Sequence, residues 1–189
     1  MIDFEALRQQ GRACGFTHVA RLDPATIELR EDVRAMCASG KCRMYGKSWS
    51  CPPACGTLEE LRARISRYRE GILVQTVGQL EDSMDGEGMM ETEALHKQHF
   101  SEMHELLRKD YPELMAIGAG TCTRCKQCSY PDAPCRFPDR MTSSMEALGM
   151  LVLEVCKNND LTYYYGPNTI AYTSCFLLKL SKPKIHPIV

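Results

Sequence analysis

Eleven cysteines in 189 residues constrain this chain more than any other feature it has. An odd count argues against a scaffold stapled by disulfides, and so does a length that buries roughly 70% of the unfolded surface in a core of its own. In a reducing compartment, clustered cysteines point to metal or to catalysis instead. Eight of the eleven form two groups. Cys37, Cys42, Cys51 and Cys55 are spaced C-x4-C-x8-C-x3-C, and Cys122, Cys125, Cys128 and Cys135 are spaced C-x2-C-x2-C-x6-C. Cys14, Cys156 and Cys175 stand alone among apolar or small residues. They read as buried, inert thiols, because free cysteine packs as a small hydrophobe.

The second group carries the sharper signal. Three cysteines at every third residue, then a fourth near a proline, resemble the bacterial ferredoxin run C-x2-C-x2-C-x3-C-P. A cubane offers separate iron corners, each taking one thiolate, and a tight loop can wrap one side of such a body. A zinc ion is one point, and zinc sites usually draw two C-x2-C knuckles from separate loops. The last gap here is six residues rather than three, and no proline follows Cys135 directly. In two-cluster ferredoxins the fourth cysteine serves the other cluster, a role open to Cys135. The first group is less regular. Cys37, Cys42 and Cys51 are its firmer ligands; Cys55 stands two residues before Thr57, which caps the next helix, and without Cys55 the fourth position is open or filled by a ligand from elsewhere. One or two 4Fe–4S clusters are therefore expected, with a role in electron transfer or small-molecule redox chemistry; the alternative is a zinc-stabilised binding or regulatory module without turnover.

Charge follows the cysteines. No Asp or Glu occurs between Asp32 and Glu59, whereas Arg34, Lys41, Arg43 and Lys47 do, and Arg124, Lys126, Arg136 and Arg140 surround the second group. Such a collar compensates thiolate–metal charge or receives an acidic redox partner or anionic substrate, unless it is an ordinary solvated face. The chain as a whole has net charge −1, so nucleic acid is not an expected partner. No apolar run reaches the length of a membrane helix, and residues 1–12 lack the apolar core of a signal peptide. The expectation is a cytoplasmic protein, without a membrane partner, serving a redox partner protein or a small-molecule substrate. A glycine-rich phosphate loop, a G-x-S-x-G elbow and a dinucleotide fingerprint are missing from the sequence. If the protein is an enzyme, it is a metal-dependent oxidoreductase.

The elements around the cysteines read as one domain over 1–189. A helix is expected over 4–14, a strand over 16–22, and a helix from Asp23-Pro24 toward Cys37. The glycines and prolines of 39–56 make a loop. Thr57 and Glu60 form a capping box for a helix ended by Gly71, and 72–77 reads as a buried strand. Six acidic residues over 81–93 suggest a mobile surface loop. A helix over 92–110 stops at Tyr111-Pro112, and its His96, His99 and His104 read as surface residues. A strand over 114–119 leads to the second cysteine loop, 120–140. Ser143 and Glu146 suggest a second capping box, with Met145, Leu148, Val152 and Val155 on one face. Residues 161–165 and 169–180, joined by Gly166-Pro167-Asn168, read as a terminal hairpin. The sum is an α/β or α+β fold: a mixed four- to five-stranded sheet covered by helices, with two cysteine-rich metal-binding loops. Trp49 and Tyr45 are placed to shield a cluster from water.

The segments CRMYGKSWSCPP (42–53) and CTRCKQCSYPDAPCRFPDRMTSSMEALGM (122–150) together resemble a prokaryotic family described as predicted metal-binding, a domain of unknown function. The resemblance covers nearly the whole chain. It implies that Cys37, Cys42, Cys51, Cys122, Cys125, Cys128 and Cys135 are ligands; a cysteine at the place of Cys55 is not a regular feature of the family pattern. It implies metal binding and no particular reaction.

Overall fold

The computed structural model describes residues 2–179. Its centre is a five-stranded mixed sheet in the order β1-β2-β5-β3-β4, formed by His18–Leu22, Glu70–Gln79, Met115–Gly118, Ser143–Ser144 and Thr169–Leu178 as β1 to β5. All neighbours are antiparallel except β3 and β4. The fold is thus α+β.

Period-two alternation gives the sheet two apolar faces. Ile72, Val74, Phe176 and Leu178 point into one core, beneath α1 (Phe4–Ala13) and α4 (Gly86–Asp110). Leu73, Cys175 and Leu177 point into the other, with Leu58, Leu61 and Ile65 of α3 (Leu58–Ile65) and Val152, Val155 and Cys156 of α5 (Val152–Lys157). A fifth helix, α2 (Glu31–Ala38), carries Cys37 near its end. Each lone cysteine is buried, Cys14 beneath α1 and α4, Cys156 and Cys175 in the opposite core. Among the described residues no helix is long and apolar enough to cross a membrane.

The local signals that hold are the caps. Thr57 accepts from the Glu60 N–H while Glu60 accepts from the Thr57 N–H, so both halves of the capping box are made. Elsewhere the tertiary structure rearranges what the sequence suggests. Asp23 and Pro24 start only a 3-10 turn, Pro24–Thr26. The chain then runs extended because Arg30 N–H is tied to the Gly149 carbonyl and the Leu29 carbonyl to Arg62; α2 begins afresh at Glu31. Gly71 does not end α3. It lies within β2, where a Cβ would stand 2.8 Å from the Phe176 carbonyl oxygen. The acidic stretch 81–93 is mostly helix: Asp85 caps α4 by accepting from the Gly88 N–H, and the positive end of the helix suits its acidic first turns.

The second capping box does not form either. Ser143 and Ser144 pair with β3, and Gly149, at φ 88°, closes a tight turn before α5 starts at Val152. Among the described residues the expected terminal hairpin does not form. Residues 161–165 are not a strand: Gln75 donates to the Thr162 carbonyl and Tyr165 donates to Gln75, which ties this segment to the middle of β2. The last strand instead inserts between β2 and β3 as the central member of the sheet. The expected last residue of that strand, Leu180, lies outside the described residues.

Candidate metal centre

Both cysteine loops lie against one another at one edge of the molecule. Trp49 joins them: its indole N–H donates to the Ala133 carbonyl at 3.0 Å, and its ring meets Tyr130 edge-on at 5.0 Å. Beneath Trp49, the buried Ser48 and Ser50 share a hydrogen bond, Ser50 Oγ accepts from the Cys122 N–H at 3.3 Å, and Thr121 Oγ1 stands 3.5 Å from Cys51 Sγ. A chain of small hydroxyls thus links Cys51 of the first group to Cys122 of the second. Sequence reasoning missed these hydroxyls. Their signal is the S-W-S run placed directly before a cysteine.

The four thiols of the second group line one small cavity, closed by Ser48, Trp49, Ser50, Arg124 and Arg136. Cys135 is therefore gathered with Cys122, Cys125 and Cys128. All four are half-buried. Burial pushes the Cys128 thiol up, but N–H groups of Trp49, Tyr130 and Ser129 and the Ser48 hydroxyl bond to its sulfur and leave it below the ordinary thiol value. A sulfur held by several donors is prepared to be a thiolate, the form that ligates metal.

The first group is assembled from more distant parts. Cys37 comes from α2, Cys42 from an exposed turn, and the buried Cys51 and Cys55 from the segment before α3. Cys37 is pushed up by burial and then by the nearby thiols of Cys42 and Cys51. Cys55 is pushed up by burial, against the pull of Arg34, whose guanidinium lies 3.7 Å from its sulfur. Cys55 also points its thiol at the Ala147 carbonyl, 3.6 Å away, and packs in the core beside Leu58.

The bases divide by task. Arg34 reaches a thiol, and Arg136 donates to the Gln127 carbonyl within its own loop. Arg124 and Arg140 pair with Glu105 of α4, at 3.4 and 3.5 Å, and fasten the second loop to the body. Of the aromatic residues, Trp49 covers the second group, while Tyr45 is exposed.

The histidines of α4 are not surface residues. His96 is 0% exposed and bonds Ser174 at 2.7 Å and Thr76 at 3.1 Å; His104 is 3% exposed and His99 is half-buried against Thr76. The buried stripe 96, 100, 103, 104, 107 faces the sheet, whose Thr76 and Ser174 satisfy His96. Burial lowers His96 to about 3 and His104 to about 4, so both are neutral at physiological pH.

Among the described residues, no three His, Cys, Asp or Glu side chains converge closely enough to hold a single metal ion. The donor set nonetheless suits a thiophilic centre: eight cysteines in two adjoining groups, hydroxyl and N–H donors toward sulfur, and arginines beside both. Comparison with curated proteins and with solved structures found no match. A family model described as "Predicted metal-binding protein (DUF2284)" matches residues 20–178, which span both cysteine groups and all five strands but for the first two residues of β1. The chain belongs to that family of metal-binding proteins.

Proposed function

We propose that the two cysteine loops bind iron–sulfur clusters, one or two of the 4Fe–4S type, and that the protein moves electrons to a partner protein or into a small molecule. The observation that carries this reading is the shared cavity of Cys122, Cys125, Cys128 and Cys135, with hydrogen-bond donors aimed at Cys128. Three thiols spaced every third residue in one loop suit the separate corners of a cluster better than one tetrahedral ion, which usually draws its ligands from two knuckles. In this reading the second group holds one cluster, and Cys37, Cys42, Cys51 and Cys55 hold the other. A cluster supplies reversible one-electron transfer. The chain supplies the thiolates, the hydrogen bonds that set the potential, and Trp49 as a cover against water.

The test is iron and acid-labile sulfide content, with a visible spectrum before and after dithionite, on protein purified without oxygen. About eight iron and eight sulfide per chain, bleached by dithionite, are expected for two cubanes. Colourless protein carrying one or two zinc ions overturns the proposal and makes the loops structural.

A further inference from the structure

A cavity of about 420 Å3 opens between the C-terminal turns of α3 and α4. Met141 divides it from the small cavity of the second cysteine group, and its walls are unusual for a protein of nearly neutral charge. Arg64 comes from the last turn of α3 and Arg108 from the last turn of α4; His104 and Ser143 add an imidazole and a hydroxyl, against one carboxylate, Asp139. Cys55 also lines it, which brings the cavity to the edge of the first cysteine group.

Arginine in a last helical turn is ordinary, because it complements the negative end of the helix. That explains why each guanidinium is where it is on its own helix, and it does not explain why two helices direct theirs into one cavity. Arg108 is held in place by donating to the Asp139 carbonyl. Among the described residues the Arg64 guanidinium has no hydrogen-bond or ion-pair partner; its electrostatic neighbours are Glu60, already committed to the capping box, and Tyr68. One oriented and one uncommitted guanidinium are what recognition of an oxyanion group needs. The volume exceeds that of a simple ion and falls in the range of sites for small organic ligands.

We propose that this cavity binds a small organic anion, its carboxylate or phosphate group held by Arg64 and Arg108. Its carbon skeleton lies against Met115, Leu148 and Cys55. That the anion is a substrate for electrons rests on the cluster reading above; that it binds does not.

The experiment is calorimetric titration of the full-length, metal-loaded protein, without oxygen, with inorganic phosphate and separately with oxalate. Saturable binding of at least one probe is expected. Arg64→Gln, on the rim and away from the core, should weaken it at least about tenfold, or about 1.4 kcal/mol. Adding Arg108→Gln should abolish it, and Arg67→Gln, on an exposed face of the same chain segment, should change nothing. Binding of phosphate alone or of oxalate alone assigns the group. No saturable binding of either probe below about 10 mM, or binding unaltered by Arg64→Gln, overturns the proposal. Iron and sulfide measured on the same sample keep the two ideas apart. Protein that holds clusters yet binds neither probe loses the anion site only. Protein that binds a probe but contains no iron loses the clusters only.

Discussion

The two cysteine loops solve one problem by different means. The second draws all four thiols from 14 consecutive residues, 122–135, and gives them equal, partial burial. The first spreads its thiols from the end of α2 to the start of α3 and from the exposed Cys42 to the buried Cys51 and Cys55. The second loop is a local object fastened to the body through Glu105 of α4. The first is part of the body, since Cys55 packs in the core with Leu58 and Leu61. A loop whose ligands are near in sequence can gather its thiols by itself, even where Ser48 and Trp49 of the other loop complete the cavity, whereas one whose ligands are far apart needs the rest of the fold first.

Four experiments break or sharpen this contrast. The largest effect is expected from Cys122→Ser with Cys125→Ser. If the second site is local, its whole metal complement is lost, about half the iron of a two-cluster protein, while the first site keeps its own. Loss of all the iron would show that the two sites stand or fall together, through the Ser50 and Thr121 contacts.

Acid comes next, and it should act on the second loop first. His104 lies beside Arg124, within 3.4 Å, and is titrated in the fold only near pH 4. The unfolded chain takes up that proton near pH 6.5, so between these values the unfolded state binds more protons and stability falls as pH falls. The loss is up to about 1.4 kcal/mol per pH unit, about 3 kcal/mol by pH 4, with a parallel contribution from His96. Hydrogen exchange should show 120–140 opening before 39–56 as the pH drops. Simultaneous opening would mean that Arg124 is not the anchor.

A third comparison sets two cysteines of the first loop side by side in metal-free protein. Cys55→Ser places a hydroxyl in an apolar cluster and should cost about 1–3 kcal/mol. Cys42→Ser, on an exposed turn, should stay within about 0.5 kcal/mol. Denaturant unfolding measures both, and equal costs would contradict the division of that loop between core and surface.

Trp49→Ala gives the most local effect of the four, confined to the contact between the loops. It removes one hydrogen bond, worth about 1 kcal/mol, and one aromatic pair, worth about 0.5–1.5 kcal/mol. The readout is the stability of the contact between the loops, followed by protease cleavage within 130–135. An unchanged cleavage rate would show that the serine hydroxyls, not the indole, hold the loops together.

The same contrast explains what could be read from residues alone. Spacing, capping and apolar periodicity are local quantities, so they were sufficient for a mixed sheet covered by helices, the helices α1 and α3, the strand β1 and the second cysteine loop, but not for choosing between α/β and α+β. The capping box at Thr57 and Glu60 formed because both partners lie within one turn of backbone. An equally good pattern at Ser143 and Glu146 failed because β3 offered Ser143 and Ser144 a ladder and Gly149 turned the chain. Local preference was outweighed there by pairing partners that no window of sequence contains.

What the sequence alone determined about this protein is its chemistry: thiols in two groups, bases beside them, and a core large enough to need no disulfides. What only the tertiary structure decided is arrangement. It placed the last strand at the centre of the sheet and buried His96 against Thr76 and Ser174. It set Ser48, Ser50 and Thr121 between the two cysteine groups, and turned Arg64 and Arg108 toward one cavity. The physical reason is range. Ligand type and helix caps act within a few residues, while a buried polar group or a convergent charge is settled by partners 20 to 78 residues away.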